Sequence, residues 1–333
     1  IGISTFLLLS AMKTLQKQWL AALGTYQYML TFLFMGPFLP FLVLSLLFMP
    51  LWSFLYLAWP FLDWDIPNRG GRRCEWIRNW TIKHLTDYHP IKLVKTVELP
   101  PDGNYVFDFH THGNMCIGTF CNFSPESNGF SQQFLGLFSL LQLAKLYHIP
   151  IYRDYIMSCG ECSINHQSLD FILSQPQLGQ VVVIVVGGTH ESLYAITGEH
   201  HLILQNHKGF VYLALRYGAS IVPVYSFGEN DVFRLKVFAK GSWQHLYQTT
   251  CQKLKGFAPC LFWDHGLFLA NSWGLLPFPV PITTVVGCPN LVPQCLHVVV
   301  DHYHMLYVKV LEQLFEEHME SCCVPVSTHL TFM

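Results

Sequence analysis

The chain has 333 residues, of which 51% are hydrophobic and only 12% are charged, and its formal net charge is −2. Soluble domains carry about 25% charged residues, so this composition favours a protein that contacts a membrane. A chain without a basic excess has no field to recruit nucleic acid, which excludes that class of partner. The length allows one large domain or two small ones.

Eleven cysteines are scattered along the chain without a repeating spacing. This pattern is typical of reduced thiols in a cytosol-facing protein rather than of a disulfide framework. Cys159 and Cys162 have the CxxC spacing, but no second CxxC occurs, and a structural zinc site needs four ligands. We therefore predict neither a metal site nor a resident cofactor.

Residues 1–28 form a first segment, which we expect to be truncated because it begins at Ile1. Residues 29–62 follow without a single charged side chain. One helical pass across a bilayer needs about 20 apolar residues, and this stretch is too long for one straight pass. It is interrupted by glycine and prolines, which break helical hydrogen bonding: Gly36, Pro37, Pro40, Pro50 and Pro60.

The uncharged stretch is flanked by positive charge on both sides, with Lys13 and Lys17 before it and Arg69 and Arg78 after it. Because positive flanks remain on the cytosolic side, we predict a membrane-embedded hairpin with both ends in the cytosol. One tilted helix with a lumenal end is the alternative.

Residues 63–333 are predicted to form one cytosol-facing domain of alternating strands and helices. The apolar, β-branched runs predict strands at 104–109, 181–186 and 219–227. Helical periodicity predicts helices at 131–147, 167–173 and 209–217, the last capped by Gly218. This order implies an α/β fold with a mixed or mostly parallel sheet and flanking helices, in which chemistry gathers beyond the carboxyl ends of the strands.

Each predicted strand is followed by polar, reactive groups. These are His110-Thr111-His112-Gly113, Gly187-Gly188-Thr189-His190-Glu191 and Gly228-Glu229-Asn230. A histidine can act as a base near neutral pH, and a carboxylate can hold its tautomer. We predict His112 as the base and Glu191 as the orienting carboxylate, with Glu229 as the alternative. His110 either supports the site or packs structurally, and the glycine-rich turns offer N–H donors for an oxyanion.

Several blocks in a fixed order carry a family resemblance. They are 110–113 with 118–124, 153–158, 185–188 with Glu191, 208–211 with 222–230, and 273–275 with 281–287. In these blocks the chain resembles the type 2 diacylglycerol acyltransferase family, which includes monoacylglycerol and wax-alcohol acyltransferases. The match runs from about residue 15 to the end. Residues 31–37, 167–180 and 311–318 are most similar to the third type of monoacylglycerol acyltransferase.

The resemblance implies a glycerolipid-acyltransferase-like fold and an enzyme of the endoplasmic-reticulum membrane whose catalytic domain faces the cytosol. It implies acyl-CoA as the acyl donor, monoacylglycerol and diacylglycerol as acceptors, and the lipid bilayer as a partner, and it leaves a homo-oligomer open. The catalytic residues would be His112, Glu191 and His110. The substrate-binding residues would be Gly113, Gly187, Gly188, Lys208, Gly209, Arg216 and Glu229.

The chain departs from the family pattern at Thr111, where the family has proline. Proline would fix the backbone beside the two histidines, and threonine loosens that constraint. A misplacement of about 1 Å at a catalytic group costs on the order of a hundredfold in rate.

Four positions that are usually basic in the family are neutral or acidic at pH 7. They are His166, His207, Tyr212 and Asp264. Arginine and lysine bind phosphate by charge-assisted hydrogen bonds, so we expect weakened acyl-CoA binding. Lys208, Arg216, Arg234 and Lys236 remain as candidate contacts.

These departures leave three hypotheses about the function of the chain. The intact His112, Gly113 and Glu191 favour an active acylglycerol O-acyltransferase. The changes at Thr111 and His207 favour a catalytically impaired, non-enzymatic membrane protein of the same family. A wax-alcohol acyltransferase, the third hypothesis, differs from an acylglycerol O-acyltransferase only in its acceptor.

Overall fold

The computed structural model describes residues 2–33, 48–49, 51, 54–55, 58–59, 62–69, 74–110, 113–123, 134, 140–142, 152–176, 178–255, 259–265, 273–293 and 300–333. Its helices, in chain order, are α1 (Gly2–Leu33), α2 (Glu75–Tyr88), α3 (Ile117–Phe123), α4 (Tyr152–Ser158), α5 (His166–Leu173), α6 (Gly188–Glu191), α7 (Gly209–Tyr217), α8 (Trp243–Lys255) and α9 (Val300–Met319). Short 3-10 turns lie at Ile66–Asn68, Ser192–Tyr194, Glu229–Asp231 and Glu320–Cys322.

The strands are β1 (Ile91–Lys95), β2 (Tyr105–His110), β3 (Leu140–Gln142), β4 (Glu161–Ser163), β5 (Val181–Val185), β6 (His201–Leu202), β7 (Ser220–Phe227), β8 (Arg234–Leu235), β9 (Phe262–His265), β10 (Trp273–Gly274), β11 (Ile282–Val286) and β12 (Thr331–Phe332). Five of them form the central sheet, in the order β1-β11-β7-β2-β5. The pairs β1/β11, β7/β2 and β2/β5 are parallel, and β11/β7 is antiparallel. The predicted mixed, mostly parallel α/β sheet is therefore confirmed.

The register of the three predicted strands brings their carboxyl ends to one edge of the sheet. Phe109 of β2 pairs with Val185 of β5 on one side and with Val224 of β7 on the other. His110 pairs with Tyr225. The polar groups that follow β2 and β5 consequently leave the sheet side by side.

Both faces of this sheet are covered, which is why its strands lack an apolar–polar alternation. Alternate side chains enter two separate core clusters. On one face, Val106, Val182, Ile184, Ile221 and Tyr225 pack with α7 and α9 residues. On the other face, Tyr105, Phe107, Phe109, Val181, Val183, Val222 and Val224 pack with Phe123 and Phe134. Each fully buried apolar side chain contributes about 1.5–3 kcal/mol.

The predicted helix 209–217 and its cap are both confirmed. Helix α7 ends at Tyr217, and Gly218 follows with a left-handed φ of 63° while its N–H bonds to the carbonyl of Ala214. Helix α5 begins after Asn165, whose side chain accepts the Ser168 N–H at 2.8 Å. The predicted helix 167–173 is thus confirmed with one further residue at its start.

The predicted helix 131–147 is wrong where the structure describes it. Leu140–Gln142 is a strand that pairs in parallel with Glu161–Ser163. The apolar run satisfied both a helical and a strand pattern, and pairing with a distant segment decided between them. The other residues of 131–147, apart from Phe134, lie outside the described residues.

Helix α1 packs on α2 and on the segment after β2. Lys17 forms an ion pair with Asp87 at 2.7 Å, and the Tyr28 hydroxyl donates to the Met115 carbonyl at 3.2 Å. The helix runs through residues 28 and 29, where we predicted a boundary. The division of the chain into 1–28, 29–62 and 63–333 stays a prediction.

Much of the predicted hairpin at 29–62 falls outside the described residues, including 34–47. The described residues of the stretch after that gap are largely exposed, among them Phe48, Leu51, Phe54 and Leu62. Within the part of the chain that is described, no helix combines the length and the apolar character needed to cross a membrane.

Candidate active site

His110 ends β2 and is fully buried, with its ring facing α9. Its Nε2 atom lies 3.1 Å from the Tyr307 hydroxyl and 3.5 Å from Oδ2 of Asp108. Burial lowers the pKa of His110, but the charge and hydrogen bond of Asp108, together with the charge of Glu191, outweigh it and raise the pKa. His110 is therefore a buried imidazole biased toward its charged form, in the electrostatic reach of Glu191.

Glu191 closes the turn that follows β5, at the end of α6. The side chain is buried, and its Oε2 accepts the N–H of Ile203 at 3.2 Å. Gly187 makes room for it, because a Cβ at Gly187 would lie only 2.3 Å from Oε2. Gly187 also has a φ of +85°, a backbone conformation that favours glycine. The first glycine after β5 is thus fitted to the buried carboxylate.

Glu229 lies on the other side of the same region, in the turn after β7. Its carboxylate accepts the N–H of Gly118 at the start of α3. Burial raises the pKa of Glu229 to about 8, although the backbone N–H groups of Gly118 and Ile117 act in the opposite direction. A Cβ at Gly113 would lie 3.2 Å from its Oε2. The structure therefore brings Glu229 against Gly113, the residue after His112.

Cys116 lies within electrostatic reach of both candidate carboxylates. Burial raises the pKa of its thiol well above the ordinary value, and the charges of Glu229, Glu191 and Glu161 raise it further. Its φ of +51° is one of two positive values at non-glycine positions in the described chain. The thiol is consequently held in its protonated form, and we assign it no nucleophilic role.

A cavity of about 590 Å³ opens at the carboxyl end of β5. Cys116, Gly187, Gly188 and Gly209 line it at the sheet edge. Its walls are otherwise mainly apolar, and they are formed by Ile164, Leu169, Ile184, Val185, Val186, Phe210 and Leu213. Three predicted substrate-binding glycines thus line one largely apolar cavity of a size that holds small-molecule ligands.

Two of the positions that lack the family's basic residue also line this cavity. His166 begins α5, and His207 lies in the loop before α7. Tyr212 is exposed on α7. The backbone of Asp264 pairs with Gly274 in the small sheet.

Among the described residues that line the cavity, Lys208 and Arg216 are not found. Lys208 instead forms an ion pair with Asp301 at 2.6 Å. Arg216 lies 3.8 Å from the Asp170 carboxylate. Neither of these two predicted substrate contacts points into the cavity as described, so their role in binding stays a prediction.

Thr111 and His112 lie outside the described residues. The roles of His112, His110, Glu191, Gly113, Gly187, Gly188, Gly209 and Glu229 stay predictions, and the geometry places all but His112. No group of three or more metal-ligating side chains that could hold an ion occurs in the described ranges.

Sequence reasoning missed Asp108, Tyr307 and Cys116. Asp108 carried a usable signal, because a carboxylate inside the apolar strand Tyr105–His110 must be partnered when buried. Tyr307 carried none, since it lies far along the chain and meets His110 only through packing of α9.

Comparisons with known proteins agree with the family resemblance that the sequence blocks indicate. The family described as diacylglycerol acyltransferase matches residues 43–333. Human 2-acylglycerol O-acyltransferase 3 is 67% identical over 328 residues, covering 96% of each chain. Diacylglycerol O-acyltransferase 2 of Danio rerio is 45% identical over 306 residues, covering 90% of this chain and 85% of the relative.

Among solved structures, the 1-acyl-sn-glycerophosphate acyltransferase PlsC from Thermotoga maritima aligns with a TM-score of 0.41 at 12% identity, covering 91% of this chain and 96% of its own. The 67% identity to human 2-acylglycerol O-acyltransferase 3 confirms the predicted resemblance to the third type of monoacylglycerol acyltransferase. The chain belongs to the diacylglycerol acyltransferase family.

Proposed function

We propose that this protein is an O-acyltransferase that acylates monoacylglycerol to diacylglycerol, and diacylglycerol to triacylglycerol. The observation that carries the proposal is the apolar cavity that meets Gly187, Gly188 and Cys116 at the edge of the sheet. An acyl chain is uncharged and apolar, so it matches these walls. Relatives named for monoacylglycerol and diacylglycerol acylation support the choice of acceptors.

The proposed donor is acyl-CoA, and His112 is the proposed general base. His112 takes the proton of the acceptor hydroxyl, and the hydroxyl oxygen forms a bond to the thioester carbonyl carbon. The carbon–sulfur bond then breaks, and the proton passes from His112 to the leaving CoA thiolate. Backbone N–H groups of the turn at Gly187 and Gly188 would bind the oxyanion, where a buried site strengthens each hydrogen bond.

The two carboxylates next to the site are suited to different roles. With its pKa raised to about 8 by burial, Glu229 is largely protonated at pH 7. A neutral carboxyl does not stabilise an imidazolium by charge, so this environment supports Glu191 as the orienting carboxylate. Glu229 then secures Gly113 and the start of α3 through the Gly118 N–H.

The setting of the reaction is part of the proposal. We place the enzyme in the endoplasmic-reticulum membrane, with residues 29–62 as a hairpin and residues 63–333 on the cytosolic side. The uncharged stretch and its positive flanks support this topology, and they bring the site to the surface where acylglycerol acceptors dissolve.

Turnover tests the proposal most directly. The full chain would be expressed in microsomes that lack endogenous acyltransferases and supplied with labelled oleoyl-CoA and 2-monoacylglycerol. We expect labelled diacylglycerol and triacylglycerol from the parent chain and none from His112→Ala. A silent parent that is restored by Thr111→Pro would identify an impaired enzyme and assign the defect to that position.

Silence of all three chains, with folding and membrane insertion intact, would contradict the enzyme assignment. A long-chain alcohol offered in place of 2-monoacylglycerol tests whether the protein is instead a wax-alcohol acyltransferase. Only a wax-alcohol acyltransferase is expected to acylate the alcohol better than 2-monoacylglycerol.

A further inference from the structure

Helix α8 presents an apolar face to the outside of the protein. Trp243 is 74% exposed, Leu246 64% and Tyr247 58%. These residues are spaced at i, i+3 and i+4, so they share one side of the helix. Another side is fastened to the protein by Gln248, which is buried and donates to the Pro259 carbonyl at 2.9 Å. The aromatic face is therefore a fixed surface of a tethered helix.

The sequence segment that contains α8 is basic and is bounded by Asp231 and Asp264. Residues 232–263 contain five basic side chains and no aspartate or glutamate. The basic residues are Arg234, Lys236, Lys240, Lys253 and Lys255. In a chain whose net charge is −2, this segment stands out as a local positive field, and its complement is an anionic surface.

Two further apolar side chains of the same segment are exposed. Val237, before the helix, and Leu261, after it, are both exposed. The strands β8 and β9 that flank α8 share a core cluster with Met29 and Leu33 at the end of α1. Met29 is the first residue of the uncharged stretch that we propose as the membrane hairpin, so the strands on either side of α8 pack beside the start of that stretch.

We propose that α8 lies on an anionic phospholipid bilayer. The contact, here called the Trp243 surface, comprises Val237, Trp243, Leu246, Tyr247 and Leu261, with Lys240 and Lys253 beside them. Tryptophan and tyrosine settle at the boundary between water and lipid. An amphipathic helix rich in lysine binds anionic lipid through its apolar face and its charge together.

The position of this surface has a consequence that rests on the proposed function. The charge of Lys253 acts on His190 in the turn after β5, and the Ser192 hydroxyl lies 3.4 Å from Sγ of Cys260, just beyond α8. The Trp243 surface thus borders the turn that carries Glu191. A bilayer held there would deliver an acylglycerol acceptor beside the cavity without passage through water.

The test uses the full chain in vesicles, because the contact is with lipid. One set of vesicles contains phosphatidylcholine only, and the other contains about one part phosphatidylserine to three parts phosphatidylcholine. Each set carries a photoactivatable phospholipid, and labelled peptides are located by mass spectrometry. We expect labelling within residues 237–253, stronger with phosphatidylserine, and little labelling of α9.

Variants sharpen the test. Trp243→Ser with Leu246→Ser should abolish most of the labelling in 237–253. The matched control, Met305→Ser with Leu306→Ser, alters an exposed apolar pair on α9 and should leave that labelling unchanged. Each lysine near an anionic membrane strengthens binding about fivefold, so Lys240→Gln with Lys253→Gln should remove the effect of phosphatidylserine.

Labelling of 237–253 that is no stronger than that of α9, or that is equal in both kinds of vesicle, would overturn the proposal. Covalent capture of a second copy through this surface would also overturn it and identify a protein interface instead. The readout does not require turnover, so its failure is distinguishable from failure of the acyltransferase assignment.

Discussion

At the scale of single residues, the pair Asp108 and His110 governs the electrostatics at the end of β2. Both side chains are fully buried, with no exposed surface on either one. A buried charge without close partners is costly, so the 3.5 Å approach of His110 to Asp108 has to supply the compensation. This makes the protonation of His110 depend on its neighbour.

Asp108→Asn removes the negative charge that raises the pKa of His110. The pKa of His110 should then fall, because burial alone favours the neutral imidazole. If His110 takes part in the site, the limb of the pH–activity profile that reports on it moves to lower pH. The measurement is kcat and KM for the acceptor between about pH 5 and pH 9.

Asp301→Asn is the matched charge change for that experiment, since Asp301 is exposed and is not among the described residues that line the cavity. It should leave the profile in place. A uniform loss of activity in Asp108→Asn without any movement of the profile would mean that Asp108 is only structural.

Gly187 offers a second test at this scale. Gly187→Ala introduces a Cβ that would lie 2.3 Å from Oε2 of Glu191, so the carboxylate must move. Misplacing a catalytic group by about 1 Å costs on the order of a hundredfold in rate, and we expect a loss of kcat of that size. Acylation assays on purified protein provide the measurement.

Gly198→Ala is the control for Gly187→Ala. Gly198 has a similar φ of +77°, but a Cβ there would meet nothing within 4 Å. Both substitutions strain the backbone, whereas only the first displaces Glu191. Equal losses of activity in the two variants would show that backbone strain, and not the position of Glu191, is responsible.

At the scale of elements, helix α9 covers one face of the sheet and carries Tyr307 to His110. Its Leu311 is fully buried in the core cluster on that face. Leu311→Ala removes buried carbon atoms and leaves a cavity, which costs about 2–5 kcal/mol of unfolding free energy. Denaturant titration of the detergent-solubilised protein would measure the loss.

Met305 lies on the same helix and is exposed. Met305→Ala should change the unfolding free energy by less than about 0.5 kcal/mol. A comparable destabilisation by both variants would contradict the assignment of α9 as a helix that packs on the sheet through one side.

At the scale of the whole molecule, Glu229 joins parts of the chain that are distant in sequence, namely the end of β7, Gly113 and α3. Its pKa is raised from 4.5 to about 8 by burial. The stability contributed by the protonated carboxyl is therefore fully present below about pH 4.5 and is lost as the pH rises through about 8. Each pKa unit corresponds to about 1.4 kcal/mol.

Glu229→Gln removes this titration while keeping the shape of the side chain. The melting temperature of the parent should fall between about pH 5 and pH 8 relative to that of Glu229→Gln. Parallel curves for the two proteins over this range would exclude Glu229 as the titrating group.

The cavity provides the second test at the molecular scale. His166→Arg with His207→Arg restores positive charge at two positions that line it. Charge-assisted hydrogen bonds to phosphate are stronger than neutral ones, so KM for acyl-CoA should fall while KM for the acceptor is unchanged. An unaltered KM for acyl-CoA would mean that the CoA phosphates bind elsewhere. Tyr212→Lys, on the outside of α7, would then test whether they bind there.

The sequence by itself determined the family and the main strands of the sheet. Blocks such as 110–113 and 222–230 identify the family because several of them occur in a fixed order along the chain, and that order is visible in the sequence itself. The unbroken run of β-branched residues from Val181 to Val185 predicts a strand covered on both faces, since burial on both sides removes any need for polar positions. The end of α7 at Gly218 was equally readable, because a left-handed cap favours glycine.

Only the tertiary structure decided which of the reactive groups meet. Spacing along the chain does not show which of Glu191 and Glu229 is the orienting carboxylate. Packing places Gly187 against Glu191 and Gly113 against Glu229. The contact between His110 and Tyr307 joins β2 to α9, and the strand Leu140–Gln142 depends on a partner at Glu161–Ser163. Contacts between distant segments depend on sheet register and helix packing, and a local pattern of residue types does not encode either one.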